Sequence, residues 1–168
     1  SSKQEAVTVK YGENLMNCNF VTDTVGQVSE VRVLAWAEKD KSQVIGKATD
    51  GDVTQKLGES KVGPKVAKDI FGDCPYWVSG FPANSQAEAD EAAKAIMNEI
   101  AMRFMRVEAD VMGTPDLVAG SVIKFEGCTK HFDGKYYVTQ AIHRYEIGSG
   151  SRGGYLTHVL AERPAWSV

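Results

Sequence analysis

Residues 113–145 read G-T-P-D-L-V-A-G-S-V-I-K-F-E-G-C-T-K-H-F-D-G-K-Y-Y-V-T-Q-A-I-H-R-Y, and this stretch decides the fold class. Two apolar runs, 121–126 and 136–145, lie between residues that favour loops: Gly113, Pro115, Gly120, Gly127 and Gly134. Alternation in the second run predicts a strand with two faces: Tyr137, Thr139, Ala141, His143 and Tyr145 against Tyr136, Val138, Gln140, Ile142 and Arg144. Asp133-Gly134 predicts a hairpin between the runs, because Gly adopts the positive φ that tight turns need.

The residues before this stretch predict one long amphipathic helix at 85–107. Ser85 and Glu88 form an S-x-x-E capping box, which satisfies two backbone donors at a helix N-terminus. Apolar residues then recur at helical spacing and form one stripe: Ala89, Ala93, Ile96, Met97, Ile100, Phe104 and Val107. Met97, Met102 and Met105 are compatible with a flexible binding groove, but we interpret them as core residues.

The first part of the chain predicts a β-meander. Strand-like patterns cover 5–10, 15–21, 28–36 and 43–48, with turns at 11–14 and 38–42. Residues 49–84 differ, because glycines and prolines interrupt a polar sequence; we expect an insertion on the body there, partly helical within 61–71 after Pro64. Its lysines are interspersed with acidic residues, which indicates a mixed solvated surface rather than a basic patch.

The C-terminal part predicts a glycine-rich loop at 148–154 and a last strand at 155–163, which Pro164 ends. A shortened or engineered loop is the alternative at 148–154. The order of elements predicts an α+β fold that is mainly antiparallel β, with a barrel-like sheet and the long helix packed on it. We expect 28–48 and 121–163 to share that sheet, because each set alone has too few strands to bury its apolar face. Residues 1–168 are then a single domain.

Composition excludes several classes of protein. The chain has 168 residues, 43% of them hydrophobic and 24% charged, with a net charge of −3. This balance is typical of globular domains and offers no basic surface for nucleic acid or an anionic membrane. We expect no transmembrane segment and no signal peptide, so neither a membrane nor a specific nucleic acid is a predicted partner.

Few residues suggest catalysis. The three cysteines, Cys18, Cys74 and Cys128, have no zinc-type spacing, and we expect free thiols in a reducing compartment. None of the three histidines, His131, His143 and His158, has metal-ligand spacing.

A Cys-His-Asp site made by Cys128, Asp133 and the strand histidines, His143 and His158, is the catalytic alternative. We prefer strand histidines with ordinary hydrogen bonds. The sequence also lacks the nucleophile elbow, the P-loop and the dinucleotide glycine pattern. Asp23, Glu30, Asp110 and Glu126 have no spacing that suggests glycoside hydrolysis. Tyr76 and Trp77 are compatible with a sugar-binding platform, but we favour a core or interface role. We therefore expect no enzyme, and assign no catalytic, cofactor-binding or metal-binding residue and no cofactor.

Several short motifs occur in an order that resembles a known family. They are Y-G-E-N-L at 11–15, V-R-V-L-A-W at 31–36, I-G-K-A at 45–48, the Ala/Glu-rich helix, G-T-P-D-L at 113–117 and F-D-G-K-Y-Y-V at 132–138. Together they resemble the later half of the phage late control D hub proteins, which are related to the hub part of the VgrG spike of type VI secretion. Thr114 and Ala119 stand where this family commonly has Asn and Pro.

The resemblance implies a structural role rather than an enzymatic one. It implies a baseplate hub of a contractile phage tail or a related injection machine, in which a homotrimer of barrel domains joins the tail tube to the spike. Partners would then be other copies of the parent protein, the tail tube and the spike. The location would be the virion tail or baseplate, the bacterial cytoplasm during assembly, or a secreted spike. The alternative is a tail-associated hydrolase or cell-wall-binding module.

Overall fold

The computed structural model describes residues 7–38, 41–147 and 154–166. Within these ranges the chain forms the strands β1 (Val7–Lys10), β2 (Leu15–Thr22), β3 (Glu30–Ala37), β4 (Ser42–Thr49), β5 (Lys61–Val62), β6 (Pro75–Phe81), β7 (Met105–Met112), β8 (Val122–Glu126), β9 (Gly134–Glu146), β10 (Gly154–Arg163) and β11 (Ala165–Trp166). The helices are α1 (Gly63–Phe71) and α2 (Gln86–Met102). The predicted α+β class with a mainly antiparallel, barrel-like sheet is confirmed. Residues 148–153 of the predicted glycine-rich loop and residues 1–6, 39–40 and 167–168 lie outside the described part.

The larger sheet has six strands in the order β1-β8-β9-β10-β7-β2 and curls into a half-barrel. Its pairs are antiparallel except for β1 with β8. The two edge strands, β1 and β2, are joined by a short turn and by a bridge between Tyr11 and Leu15. Alternate residues of the strands point into the curl and form its buried core, which includes Val9, Val111, Ile123, Phe125 and Val138.

The long strand β9 changes faces partway along, against the strict alternation that its sequence predicts. Val138 pairs with Ala161, but the next pair joins Gln140 to Leu160, so Thr139 is an extra residue that forms a bulge. The Thr139 hydroxyl donates to the carbonyl oxygen of Leu160 at 3.0 Å. Tyr136 and Val138 therefore face the core before the bulge. After the bulge, Ala141 and every second residue that follows it on β9 are on the core side.

A second sheet has three strands in the order β4-β3-β6, with β3 parallel to β6. The prediction that 28–48 and 121–163 share one sheet is therefore wrong. On the side away from β4, β3 pairs with β6, which comes from the 49–84 segment, and not with a strand of the larger sheet. Helix α2 packs on this smaller sheet, where Ala93 and Met97 contact Val31 and Val33 in one buried cluster. Strand β4 lies so close to α2 that a Cβ on Gly46 would be 2.0 Å from the carbonyl oxygen of Ala89.

The predicted helix at 85–107 begins where expected but ends earlier. Ser85 is the N-cap, and its hydroxyl accepts the N–H of Glu88 at 3.3 Å. The Glu88 carboxylate accepts from the N–H of Asn84 instead of closing the capping box on Ser85. The helix ends at Met102, because the apolar pattern switches there to alternation along β7. Phe104 is fully buried, but it lies between the helix and the strand.

The 49–84 segment is built into the body of the protein rather than attached to it. Helix α1 confirms the helical prediction within 61–71, and its Val66 joins the core of the half-barrel. Strand β5 pairs with β11, and β6 pairs with β3. The segment thus supplies strands to two different sheets. The assignment of residues 1–168 to a single domain stays a prediction.

At the end of β10, the side chain of Arg163 connects the loop 127–133, Tyr136 of β9 and Glu59 of the 49–84 segment. Its side chain is 0% exposed, and its Nη1 and Nη2 donate to the carbonyl oxygens of Asp133 and His131 at 2.8 and 2.7 Å. The guanidinium carbon lies 4.5 Å from the ring centroid of Tyr136, and Nη1 is 3.7 Å from a carboxylate oxygen of Glu59. Burial lowers the pKa of Arg163, whereas the Tyr136 ring, Glu59 and Asp133 favour its charged form.

We expect Arg163→Met to lower the free energy of unfolding by about 3–5 kcal/mol, because it leaves buried carbonyls and the Glu59 carboxylate without their donor. The measurement is urea unfolding followed by circular dichroism. Arg103→Met is the matched control, since Arg103 is exposed and its ion pair with Glu99 is on the surface. Equal losses in the two variants would contradict the central role of Arg163.

Candidate functional site

Of the predicted Cys-His-Asp alternative, Cys128 and Asp133 come together, but the strand histidines His143 and His158 are hydrogen-bonded to other residues. The Asp133 carboxylate accepts backbone N–H groups from Gly127, Cys128 and Thr129 at 3.1, 2.8 and 3.3 Å. It thus holds together the loop that connects β8 and β9, instead of the two-residue hairpin that Asp133-Gly134 predicts. Burial raises the pKa of the Cys128 thiol to about 12, so the thiol is a poor nucleophile at neutral pH.

The two strand histidines point to opposite faces of the larger sheet. His143 pairs with Thr157, and His158 pairs with Ile142 in the adjacent position. Because side chains in adjacent positions of paired strands point to opposite faces, the two imidazoles are on different sides of the sheet. The Nδ1 atom of His143 is 2.8 Å from the hydroxyl of Tyr155 and 3.2 Å from that of Thr157. These contacts are ordinary strand hydrogen bonds.

His158 and two carboxylates form a small polar cluster on the convex face. Its Nδ1 atom is 2.8 Å from Asp110 Oδ1, and its Nε2 atom is 3.4 Å from Glu108 Oε1. The third histidine, His131, is exposed, and its ring lies 5.9 Å from that of Trp166. Across 7–38, 41–147 and 154–166, no three His, Cys, Asp or Glu residues are arranged to hold a metal ion.

A shallow groove of 390 Å³ crosses the same convex face beside the bulge of β9. Arg106 and Glu162 are directly paired across β7 and β10, and both line the groove with Leu160 and Val21. Burial raises the pKa of Glu162, although Arg106 and Arg103 act in the opposite direction. Sequence reasoning missed this groove, because only the strand register brings its residues together.

The smaller sheet presents an aromatic outer face opposite α2. Trp36 is 58% exposed and Trp77 is 52% exposed. Both are on this face, because Trp77 is in register with Arg32, and Trp36 follows Arg32 by four positions on β3. The guanidinium carbon of Arg32 lies 5.0 Å from the Trp77 ring centroid and is fixed by a 2.7 Å ion pair with Glu30.

A cleft of 550 Å³ lies on this outer face beside Trp36, between Gln43 of β4 and Phe81 of β6. The sequence-based platform of Tyr76 with Trp77 is not formed, because neighbouring residues of β6 point to opposite faces. Trp36 is the aromatic residue that shares the face with Trp77.

Two free strand edges are uncharged. Strand β2 reads L-M-N-C-N-F-V-T at one edge of the larger sheet, and β6 reads P-Y-W-V-S-G-F at one edge of the smaller sheet. Exposed edges normally carry charged residues that prevent pairing with another chain, and β2 has neither a charge nor a proline. Its Met16 and Val21 are exposed. These edges are therefore suited to pairing with a partner strand.

The fold is shared with tail and virion proteins. The 43 kDa tail protein of prophage MuSo2 from Shewanella oneidensis superimposes with a TM-score of 0.68 at 12% identity, over 98% of this chain and 46% of that one. The tail protein from Neisseria meningitidis MC58 has a TM-score of 0.63 at 15% identity, over 94% and 44% of the two chains. A chain of the virion of a native gene transfer agent particle has a TM-score of 0.56 at 14% identity, over 96% and 32%. The present chain spans less than half the length of each of these proteins.

At the level of sequence, the chain belongs to the Alg8 N-terminal domain family, whose sequence model matches residues 1–146. No curated protein sequence matches the chain. In the ranges that the structure describes, neither helix is long and apolar enough to cross a bilayer.

We expect Glu162→Gln to raise the melting temperature at about pH 7 and to leave it unchanged below about pH 4. The raised pKa of Glu162 means that the fold prefers the protonated side chain. Its contribution to stability is therefore present below the pKa of the unfolded state and is lost as the pH rises through the folded-state pKa. Thermal unfolding at both pH values tests this, with Glu146→Gln as an exposed control on β9. A gain that persists at the lower pH would show that ionisation of Glu162 is not its cause.

Proposed function

We propose that this chain is part of a structural hub in a contractile phage tail or a related injection machine, where it helps to join the tail tube to the spike. The observation that carries the proposal is the shared fold over 94–98% of this chain with two tail proteins. At 12–15% identity the support comes from shape. The motifs at 11–15, 31–36 and 113–117 add support, because they resemble the late control D and VgrG hubs in order and position.

The surfaces of the molecule support a role in assembly. The uncharged edge of β2 offers unpaired backbone groups to a neighbouring strand. Exposed apolar side chains surround both free edges and the outer end of β9, where Tyr145 and Ile147 are 75% and 95% exposed. Apolar surface of this extent is typical of proteins that associate with others.

We propose further that the parent protein is a homotrimer located in the virion tail or baseplate, and that it is not an enzyme. The number three comes from the resemblance to hub proteins. A ring closes when a surface of one subunit binds a different surface of the next, and the edge of β2 is the surface that we assign to this contact. The absence of enzymatic activity is supported by the strand histidines and Asp133, which are engaged in hydrogen bonds within the fold.

Light scattering of the full-length parent tests the assembly. We expect the parent to be a trimer. This chain, which spans less than half of the relatives' length, is measured alongside it, and we expect its mass to be that of a monomer. Val21→Lys in the parent places a charge beside the edge of β2 and should reduce the trimer to monomers. Val118→Lys is the matched control, because Val21 and Val118 are 46% and 45% exposed and only Val21 is on the edge.

A parent that is monomeric at high concentration would overturn the hub proposal. If the parent is trimeric and Val21→Lys leaves it so, the assignment of the interface to β2 is wrong, while the hub proposal stands.

A cell-wall-binding module is the second candidate, favoured by Trp36 and Trp77 on one outer face. Exposed aromatic rings stack on sugar rings, and Gln43 and Glu38 beside the cleft offer hydrogen-bonding groups. If this candidate is correct, the chain binds purified peptidoglycan, and the double variant Trp36→Ala with Trp77→Ala loses binding at least tenfold. Tyr145→Ala is the control for loss of an exposed aromatic residue elsewhere. No binding by the unchanged chain, and no hydrolysis of peptidoglycan, would leave the structural role as the function.

A further inference from the structure

Two cysteines from distant parts of the sequence meet where the half-barrel is open. Cys18 is in the middle of the edge strand β2, and Cys128 is in the loop 127–133 that follows β8. Strand β8 is next to β1, so this loop belongs to the opposite end of the six-stranded sheet. We call the gap between β2 and the loop 127–133 the seam.

The seam brings the two cysteines close together. Cys18 and Cys128 both line a cleft of 240 Å³, and Cys18 is close enough to add to the raised pKa of the Cys128 thiol. Both side chains also pack against the core of the half-barrel, because they point inward.

The walls of the cleft hold this arrangement in place. The rings of Phe20 and Phe132 stack across the seam with their centroids 4.8 Å apart and their planes 9° apart. On the loop side, the N–H of Cys128 donates to Asp133 Oδ1 at 2.8 Å. These contacts hold the two cysteine-bearing segments in place on either side of the cleft.

The third cysteine is in a different place and serves as an internal reference. Cys74 precedes β6 of the smaller sheet, and its N–H donates to the Ser29 hydroxyl at 2.8 Å. All three cysteines are free thiols in the structure.

We propose that Cys18 and Cys128 are a modification site, at which a reversible intramolecular disulfide closes the seam covalently. The proposal rests on the seam alone and is independent of the role in a tail. The co-reactant is a small-molecule disulfide such as oxidised glutathione. Such a bond would tie the free edge of β2 to the other end of the sheet and would close a long loop of chain.

The reaction is a thiol–disulfide exchange in two steps. One protein thiol loses its proton, and the thiolate attacks a sulfur of oxidised glutathione; the glutathione S–S bond breaks, one glutathione leaves, and a mixed disulfide forms. The second protein thiolate then attacks the protein sulfur of the mixed disulfide and expels the second glutathione. The two cysteine sulfurs are oxidised, the two glutathione sulfurs are reduced, and the two protons end on the released glutathione thiols.

Burial controls how readily this happens. Because the pKa of Cys128 is raised to about 12, little thiolate is present at neutral pH. The Cys128 thiol therefore resists adventitious oxidation and alkylation, and the rate of disulfide formation should rise with pH. Once the mixed disulfide forms, the second thiol is already close to it, so the ring-closing step is intramolecular and fast.

The test uses the purified chain with oxidised glutathione at about pH 8.5, where thiolates form more readily. Thiols are then counted with a maleimide after unfolding, and the linked peptides are mapped by mass spectrometry. We expect the number of reactive thiols to fall from three to one, with Cys74 remaining. A melting temperature higher by roughly 4–16 °C should accompany the bond and disappear on reduction.

Matched variants separate the pair from general oxidation. Cys74→Ser should still form the bond and show the same rise in melting temperature, whereas Cys18→Ser and Cys128→Ser should show neither. Mapping of the unchanged chain does not depend on the folding of any variant. Three reactive thiols, a stable glutathione adduct without ring closure, a bond to Cys74 or a bond between molecules would each overturn the proposal.

Discussion

The buried guanidinium of Arg163 is the interaction on which this end of the larger sheet depends, because it joins β10 to the loop 127–133, to Tyr136 of β9 and to Glu59 of the 49–84 segment. It lies where β10 ends and the chain continues through Pro164 into β11, which pairs with β5 in a separate two-stranded sheet. A buried cation is tolerated only when its donors are satisfied and its charge is compensated. The carbonyls of the β8–β9 loop accept from Nη1 and Nη2, and Glu59 and the ring of Tyr136 lie beside the charge, while Nε has no hydrogen-bond partner among the described residues. Gly134 leaves space for the guanidinium, because a Cβ there would lie 2.5 Å from Nη1. A glycine that suggests a simple hairpin in the sequence is therefore required by a residue far along the chain.

Local patterns predicted the elements of the fold better than they predicted its pairings. The last strand at 155–163 and the Ser85 cap depend on neighbours within a few positions, and both appear in the structure. The single-sheet prediction failed because β3 pairs in parallel with a strand from a segment that is polar and rich in glycine. The helix prediction extended too far because Phe104 and Val107 fit a helical stripe and an alternating strand equally well.

Which residues come together at the candidate sites depends even more on the register of the paired strands. Residues of one sequence neighbourhood, such as Tyr76 and Trp77, were expected to act together, but the pleat separates them and brings Trp36 to the same face as Trp77. Cysteine spacing excluded a zinc motif, yet no spacing rule indicates that Cys18 and Cys128 meet across the seam. Contacts of this kind are set by the curl of the whole sheet, which short-range sequence patterns do not encode.

The order of strands also implies an order of folding. Strands β3, β4 and β6 and helix α2 all come from the stretch between β2 and β7, so this lobe is built from contacts that are close in sequence. By contrast, β1 pairs with β8, and β2 pairs with β7, only after the intervening lobe has been made. Short loops close faster than long ones, so this lobe should assemble during synthesis while β1 and the uncharged β2 are still unpaired. In a ribosome-bound chain, that waiting period is when the protein is most exposed to aggregation and most dependent on chaperones.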